Sequence, residues 1–177
     1  MRIRRSTRAA FTLVEILIVV LVLMIAAAIV IPNIGSADYS QAIAAAAVLQ
    51  SDLEVARSMA MATQVSHSVV FSSDRQSYRV VAGYVAGTAY ESTTAVCHPV
   101  NKGNPYQVYL KGLNKMGLVS VTSVAFGDPP QQCEYVTFQS DGEPNAAVSV
   151  VLHAGNIIMT VSVEAMTGIV SVTRAGG

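Results

Sequence analysis

Residues 11–31 read FTLVEILIVVLVLMIAAAIVI, a run of 21 residues with one ionisable group, Glu15. Built as a helix at 1.5 Å per residue, this run is about 31 Å long, the thickness of a bilayer's hydrocarbon core. The ten residues before it, MRIRRSTRAA, hold Arg2, Arg4, Arg5 and Arg8, and the next basic residue after the run is Arg57. Positive charge gathered on one flank keeps that flank in the cytoplasm and sends the rest across. An ordinary secretory signal is the alternative. Its apolar region is about 7–15 residues and ends at a small-residue cleavage site, which Ala26–Ala28 imitates.

Glu15 is the anomaly in this run. A carboxylate inside an apolar segment costs several kcal/mol unless it is paired. One reading leaves it wet at the interface, five positions into the run. The other pairs it with a positive group on a neighbouring subunit. The natural partner is a free α-amine made by cleavage just before Phe11.

Ala10-Phe11-Thr12-Leu13-Val14-Glu15, after a basic leader and before an apolar run, resembles the class III signal of type IV pilins and type II secretion pseudopilins. The resemblance implies cleavage by a prepilin peptidase between Ala10 and Phe11, N-methylation of Phe11, and Glu15 as the assembly carboxylate. That family usually has Gly before the cut, where this chain has Ala10. Pro32 follows the run, where such helices often kink, and 32–36 is expected to be a weak point in the helix.

Downstream, residues 37–64 are Ala-rich and free of Pro and Gly. Ala42, Ala46, Leu49, Leu53, Ala56 and Ala60 recur at the spacing of one helical face. Gln50, Asp52, Glu54 and Arg57 are expected on the opposite face. From Ser66 the period changes to two. Strands are expected at 67–72, 76–82, 106–111, 117–126, 134–139, 146–153, 157–163 and 168–173, with turns at 73–75, 141–144 and 154–156. Residues 83–103 read as a loop or insertion. The fold class is α+β, a long N-terminal transmembrane and amphipathic helix packed on an antiparallel β-sheet domain.

Leu49-Gln50-Ser51-Asp52-Leu53-Glu54-Val55-Ala56-Arg57-Ser58-Met59-Ala60, then Val69-Val70-Phe71 and Tyr78-Arg79-Val80, is similar to the GspH/FimT group of minor pseudopilins and minor pilins. Phe138-Gln139-Ser140-Asp141-Gly142 and Gly168-Ile169-Val170 fit its closing pattern. Residues 83–133 match no pattern. The implied organisation is a leader at 1–10, a transmembrane segment at 11–31, an exported amphipathic helix at 32–65 and a β-rich globular domain at 66–177.

The resemblance implies a non-enzymatic minor pseudopilin of a type II protein secretion system. It would lie in the bacterial inner membrane as a single-pass protein, with the N-terminus cytoplasmic and the globular domain periplasmic. Its implied partners are the prepilin peptidase, other pseudopilins or pilins through the N-terminal helix, the inner-membrane assembly platform and the membrane. The alternative within the family is a minor type IV pilin of the FimT kind, in pilus priming, motility or DNA uptake. Outside the family, the alternative is a signal-anchored exported binding domain that is never processed.

Composition narrows the chemistry. The 177 residues are 52% hydrophobic and 12% charged, unlike a disordered or nucleic-acid-coating chain. Beyond Ala10 seven basic residues face 11 acidic ones, a formal net charge of −4, which does not favour nucleic acid as a partner. Cys97 and Cys133 have 35 residues between them. In an oxidising compartment they are expected to form a disulfide, and two free buried thiols are the alternative. His67, His98 and His153 are scattered and lack metal-ligand spacing, so no metal or cofactor is expected. Asp141 and Glu143 read as solvated loop charges. No catalytic motif is present, and no catalytic residue is expected.

Overall fold

In the computed structural model, residues 11–30, 34–110, 119–127 and 131–175 are described. Two compact units divide at Ser36 and Ala37. In the first, α1 runs from Leu13 to Val30. Strong apolar content throughout and the absence of Gly and Pro let the helix run unbroken.

The helix α2 spans Ile34–Thr63, and from Ala37 onward it belongs to the second unit. Gly35 and Ser36, inside the expected weak point, are helical, while 31–33 lie outside the described residues. The α2 stripe is buried as its spacing demands: Ala42, Ala46, Leu49, Leu53, Ala56 and Ala60 are fully enclosed. Leu49 and Leu53 each contribute about 1.5–3 kcal/mol by leaving water. The opposite face departs from expectation. Glu54 is exposed, but Gln50 and Arg57 are half-buried and Asp52 is buried.

Among the described residues nine strands follow: β1 (His67–Phe71), β2 (Ser77–Ala82), β3 (Gln107–Tyr109), β4 (Val119–Phe126), β5 (Gln131–Gln132), β6 (Tyr135–Phe138), β7 (Val148–Ala154), β8 (Ile157–Val163) and β9 (Val170–Arg174). They sort into two antiparallel sheets, ordered β3-β2-β1-β6 and β5-β4-β7-β8-β9. The α2 stripe and the inward residues of both sheets share one core. In β7 burial alternates strictly, Val148, Val150, Leu152 and Ala154 pointing inward, the period-2 pattern of a half-buried strand.

The sheets are tied at one corner by Arg75. This residue holds the β1–β2 turn at φ 55°. Its guanidinium donates to the Thr122 carbonyl and, at 2.9 Å, to Gln132 Oε1. Thr122 sits where the β4–β7 register slips by one residue, so a bulge presents a carbonyl that the ladder leaves over.

β1 is buried on both faces. Val69 and Phe71 enter the main core, while Val70 joins Val81 and Tyr90 in a second cluster flanked by Tyr84 and Tyr135. The stretch expected as a loop at 83–103 thus folds back over the first sheet. It contains a single 3-10 turn, Tyr90–Ser92, and a bridge between Cys97 and Pro105.

Candidate functional site

The N-terminal segment starts α1 by a local device. Thr12 lies just before the helix, and its Oγ1 accepts the Glu15 N–H at 3.2 Å. Its carbonyl accepts the Ile16 N–H at 3.2 Å. Thr12 is therefore the N-cap and Glu15 the third helical residue, the spacing of a capping box. The T-x-x-E signature was present in the sequence and marks Thr12, a residue that the apolar-run argument passes over. The same geometry places Glu15 in the first turn of α1.

Glu15 is exposed, and so is the apolar surface around it: Phe11, Leu13, Val14, Ile16, Leu17, Ile18 and the residues through Ile25 are about half or more exposed. A contiguous apolar surface this large marks a membrane or protein contact. Among the described residues no helix is long and apolar enough to cross a membrane. α1 as described has 18 residues, about 27 Å of helix against a core of about 30 Å. The sequence's apolar run continues to Ile31, outside the described residues, as is Ala10 on the other side of the expected cut.

In the second unit the C-terminal half of α2 docks on two turns. The Arg57 Nε–H donates to the Gly142 carbonyl at 3.1 Å, and the Gln64 amide donates to the Ser140 carbonyl at 3.4 Å. Gly142 and Gly168 both have positive φ, 86° and 64°. A Cβ on Gly168 would lie 2.7 Å from the Gly142 carbonyl oxygen. The "ARS" helix end, the "DG" turn and the Gly168 turn are therefore one packing unit, far apart in sequence and interlocked in space.

Asp52 forms the polar centre of the core. Tyr78 and Tyr106 hydroxyls donate to its two oxygens at 2.6 and 2.8 Å. Burial raises its pKa, outweighing the two hydrogen bonds and the nearby His98, all of which lower it. The His98 ring lies 4.4 Å from that of Tyr106. Its Nδ1 lies 3.1 and 3.2 Å from the Val100 and Asn101 backbone nitrogens, which fixes the ring against its own turn.

The expected Cys97–Cys133 disulfide is absent. Both are free thiols, Cys97 exposed and Cys133 buried. Cys133 Sγ turns into the core and donates to the Tyr135 carbonyl at 3.4 Å. The two sulfurs occupy different environments, and a disulfide would need Cβ atoms about 3.8 Å apart. His67 Nδ1 donates to the Val65 carbonyl; His153 is half-buried on β7. Among the described residues no three His, Cys, Asp or Glu side chains gather for a metal. Asp141 Oδ1 accepts the Glu143 N–H at 3.0 Å within its own turn. Of the basic side chains, Arg57, Arg75 and Arg79 bind backbone carbonyls, and Arg174 lies over the Tyr39 ring at 5.3 Å. Lys111 and Lys115 lie outside the described residues.

Residues 5–31 match the family described as the prokaryotic N-terminal methylation motif. The fold is similar to that of the minor pseudopilin EpsH from the type 2 secretion system of Vibrio cholerae, with a TM-score of 0.55 at 14% identity, covering 77% of this chain and 99% of that one. The fold is pilin-like. It is also similar to the type IV minor pilin FimU of Pseudomonas aeruginosa PAO1, with a TM-score of 0.48 at 12% identity, covering 78% of this chain and 90% of that one. No curated protein matches the chain in sequence. The pilin-like domain thus stands behind the methylation motif of prokaryotic prepilin-like proteins, as the expected α+β architecture requires.

Proposed function

We propose that this chain is a minor pseudopilin of a type II protein secretion system, a structural subunit rather than an enzyme. One observation carries the reading: a methylation motif at 5–31 precedes a fold that aligns with nearly the whole of a minor pseudopilin.

The precursor sits in the inner membrane through residues 11–31, with 1–10 cytoplasmic and the globular domain periplasmic. The arginine-rich leader supports this orientation, and the apolar run through Ile31 supports the span. A prepilin peptidase cuts between Ala10 and Phe11, and Phe11 is N-methylated. Subunits then leave the bilayer for a helical filament in which neighbouring α1 helices replace lipid around one another. A carboxylate in that apolar core is costly unless its charge is met. Glu15 meets it by pairing with the Phe11 amine of a neighbouring subunit, which fixes the axial register.

A clean deletion strain and its complemented control test the assignment. Folded proteins released to the medium are compared, and surface pili are scored on the same cells. Lost secretion with normal pili supports the pseudopilin. Intact secretion with lost pili, motility or DNA uptake overturns it in favour of a minor pilin.

A further inference from the structure

The fold-back of residues 83–107 does something the filament reading does not use. Between its 3-10 turn, the β1–β2 turn and the edge strand β3 lies a cleft of about 380 Å³. Its floor is a relay of buried hydroxyls. The Gln107 amide donates to Tyr90 OH at 3.1 Å. Tyr90 OH meets Ser77 Oγ at 3.0 Å, Ser77 Oγ donates to Ser72 Oγ at 3.2 Å, and Ser72 Oγ donates to Asp74 Oδ1 at 2.6 Å. Because the Ser77 proton points to Ser72, the Tyr90 proton points to Ser77, and the chain of donors ends on a carboxylate. Such chains polarise one another and hold their members in place.

The Tyr90 ring is itself clamped. The Arg79 guanidinium lies 3.8 Å above its centroid and donates to the Thr93 and Tyr90 carbonyls at 2.7 and 3.2 Å. Charge in the cleft is therefore largely committed: Arg79 to backbone carbonyls, Asp74 to Ser72 and to the Gln76 N–H. What remains toward solvent is the Gln107 amide, the Ser73 hydroxyl, the exposed Glu91 carboxylate and the exposed ring of Tyr109 on β3.

We infer that this cleft binds a neutral saccharide. A pyranose needs fixed donors and acceptors for its hydroxyls and one aromatic face for its C–H surface. A preorganised polar floor beside an exposed tyrosine supplies both at low ordering cost. A cationic peptide side chain fits less well: among the described residues Glu91 is the one carboxylate the cleft leaves toward solvent, Asp74 is already engaged, and Arg79 adds a positive charge beneath the floor.

The test uses the full chain in amine-oxide micelles, which carry no sugar head group. Trisaccharides of glucose, galactose and N-acetylglucosamine are titrated by calorimetry and by saturation-transfer NMR, with trilysine as the cationic probe. Saturable binding of at least one trisaccharide is expected. Tyr109→Ala should weaken it about five-fold, the loss of one aromatic contact, and Glu91→Gln should weaken it measurably. Both side chains are exposed, so both variants keep the wild-type circular dichroism. Tyr39→Ala, an exposed tyrosine on α2 outside the cleft, should leave binding unchanged. Absence of saturable binding by all three sugars, equal binding by wild type and Tyr109→Ala, or binding of trilysine alone overturns the inference.

Discussion

The Tyr78 hydroxyl donates a 2.6 Å hydrogen bond from β2 to Oδ2 of Asp52 on α2. With the Tyr106 bond to Oδ1, one carboxylate ties the helix both to the first sheet and to the segment that follows the inserted loop. A buried carboxylate is costly unless its oxygens are met, and here two hydroxyls meet them.

Removing the carboxylate should cost more than neutralising it. Asp52→Ala leaves two buried hydroxyls unsatisfied and should destabilise the globular domain by about 2–4 kcal/mol. Asp52→Asn keeps an acceptor for one tyrosine and offers a donor to the other, and should cost much less at neutral pH. The raised pKa of Asp52 sets the sign of the pH dependence. Its proton is held more tightly folded than unfolded, so the stabilisation is complete below the ordinary aspartate value and is lost as pH rises through the folded one. The stability of wild type relative to Asp52→Asn should therefore improve on acidification from pH 7 toward pH 4. Denaturant midpoints of the two proteins check this, and a wild type that falls behind the variant on acidification contradicts it.

At the alkaline end the tyrosines dominate. Burial first, and then the Asp52 charge and hydrogen bond, push the pKa of Tyr78 and Tyr106 upward. Their contribution is fully present below the unfolded tyrosine value of about 10 and is lost as pH rises above it. Denaturant midpoints should be flat from pH 8 to 9 and fall by pH 11. In Tyr78→Phe that fall should be shallower, from a lower starting stability.

The helix stripe and eight strands were legible because each follows a single period, 3.6 along α2 and 2 along β7 and β8. What was not legible depends on contacts between distant segments. Asp52 reads as a polar residue on a solvent face; only Tyr78 and Tyr106, brought in from β2 and the segment before β3, make burial tolerable. The division into two sheets also left no local mark, since alternation says which face is inward and not which neighbour is paired. Gln131–Gln132 was missed because a two-residue edge strand has no period. The cysteine reading failed for a related reason: sequence separation says nothing about which way Cys133 turns. Thr12 was missed although its signature was local, because the apolar run alone accounted for the helix.

Gly168 and Gly142 should respond differently to the same substitution. Both have positive φ, which costs an L-residue about 1–2 kcal/mol. A Cβ at Gly168 also meets the Gly142 carbonyl oxygen at 2.7 Å, whereas at Gly142 the nearest atom is Met61 Sδ at 2.8 Å, on a flexible side chain. Gly168→Ala should therefore destabilise by roughly 3 kcal/mol or more and Gly142→Ala by less. Equal thermal shifts for the two variants would show that the backbone clash does not control the cost.

The two thiols should alkylate in sequence. Cys97 is exposed and should react with iodoacetamide in the native protein. Cys133 is buried with its pKa raised by burial, so it presents little thiolate and should react only on unfolding. Intact mass should show one adduct under native conditions and two in denaturant, without prior reductant. A native protein that takes up no label until it is reduced would restore the disulfide.

Glu15 and Thr12 separate the start of the helix from its use in assembly. Thr12→Ala removes the side chain that accepts the Glu15 N–H and should fray the first turn at a cost of about 1 kcal/mol. Glu15→Ala leaves that bond intact, since the bond uses the Glu15 backbone, and makes residues 11–31 more apolar. Membrane insertion of Glu15→Ala should thus equal or exceed that of wild type, while its entry into filaments should fall by at least ten-fold if the carboxylate meets a neighbour's amine in an apolar core. Fractionation of membranes reads the first quantity, and the amount recovered in sheared filaments reads the second. Thr12→Ala should insert normally and assemble at an intermediate level, because it retains the charge but loosens its placement. Wild-type incorporation of Glu15→Ala would remove charge pairing from the mechanism and leave apolar helix packing as the sole assembly force.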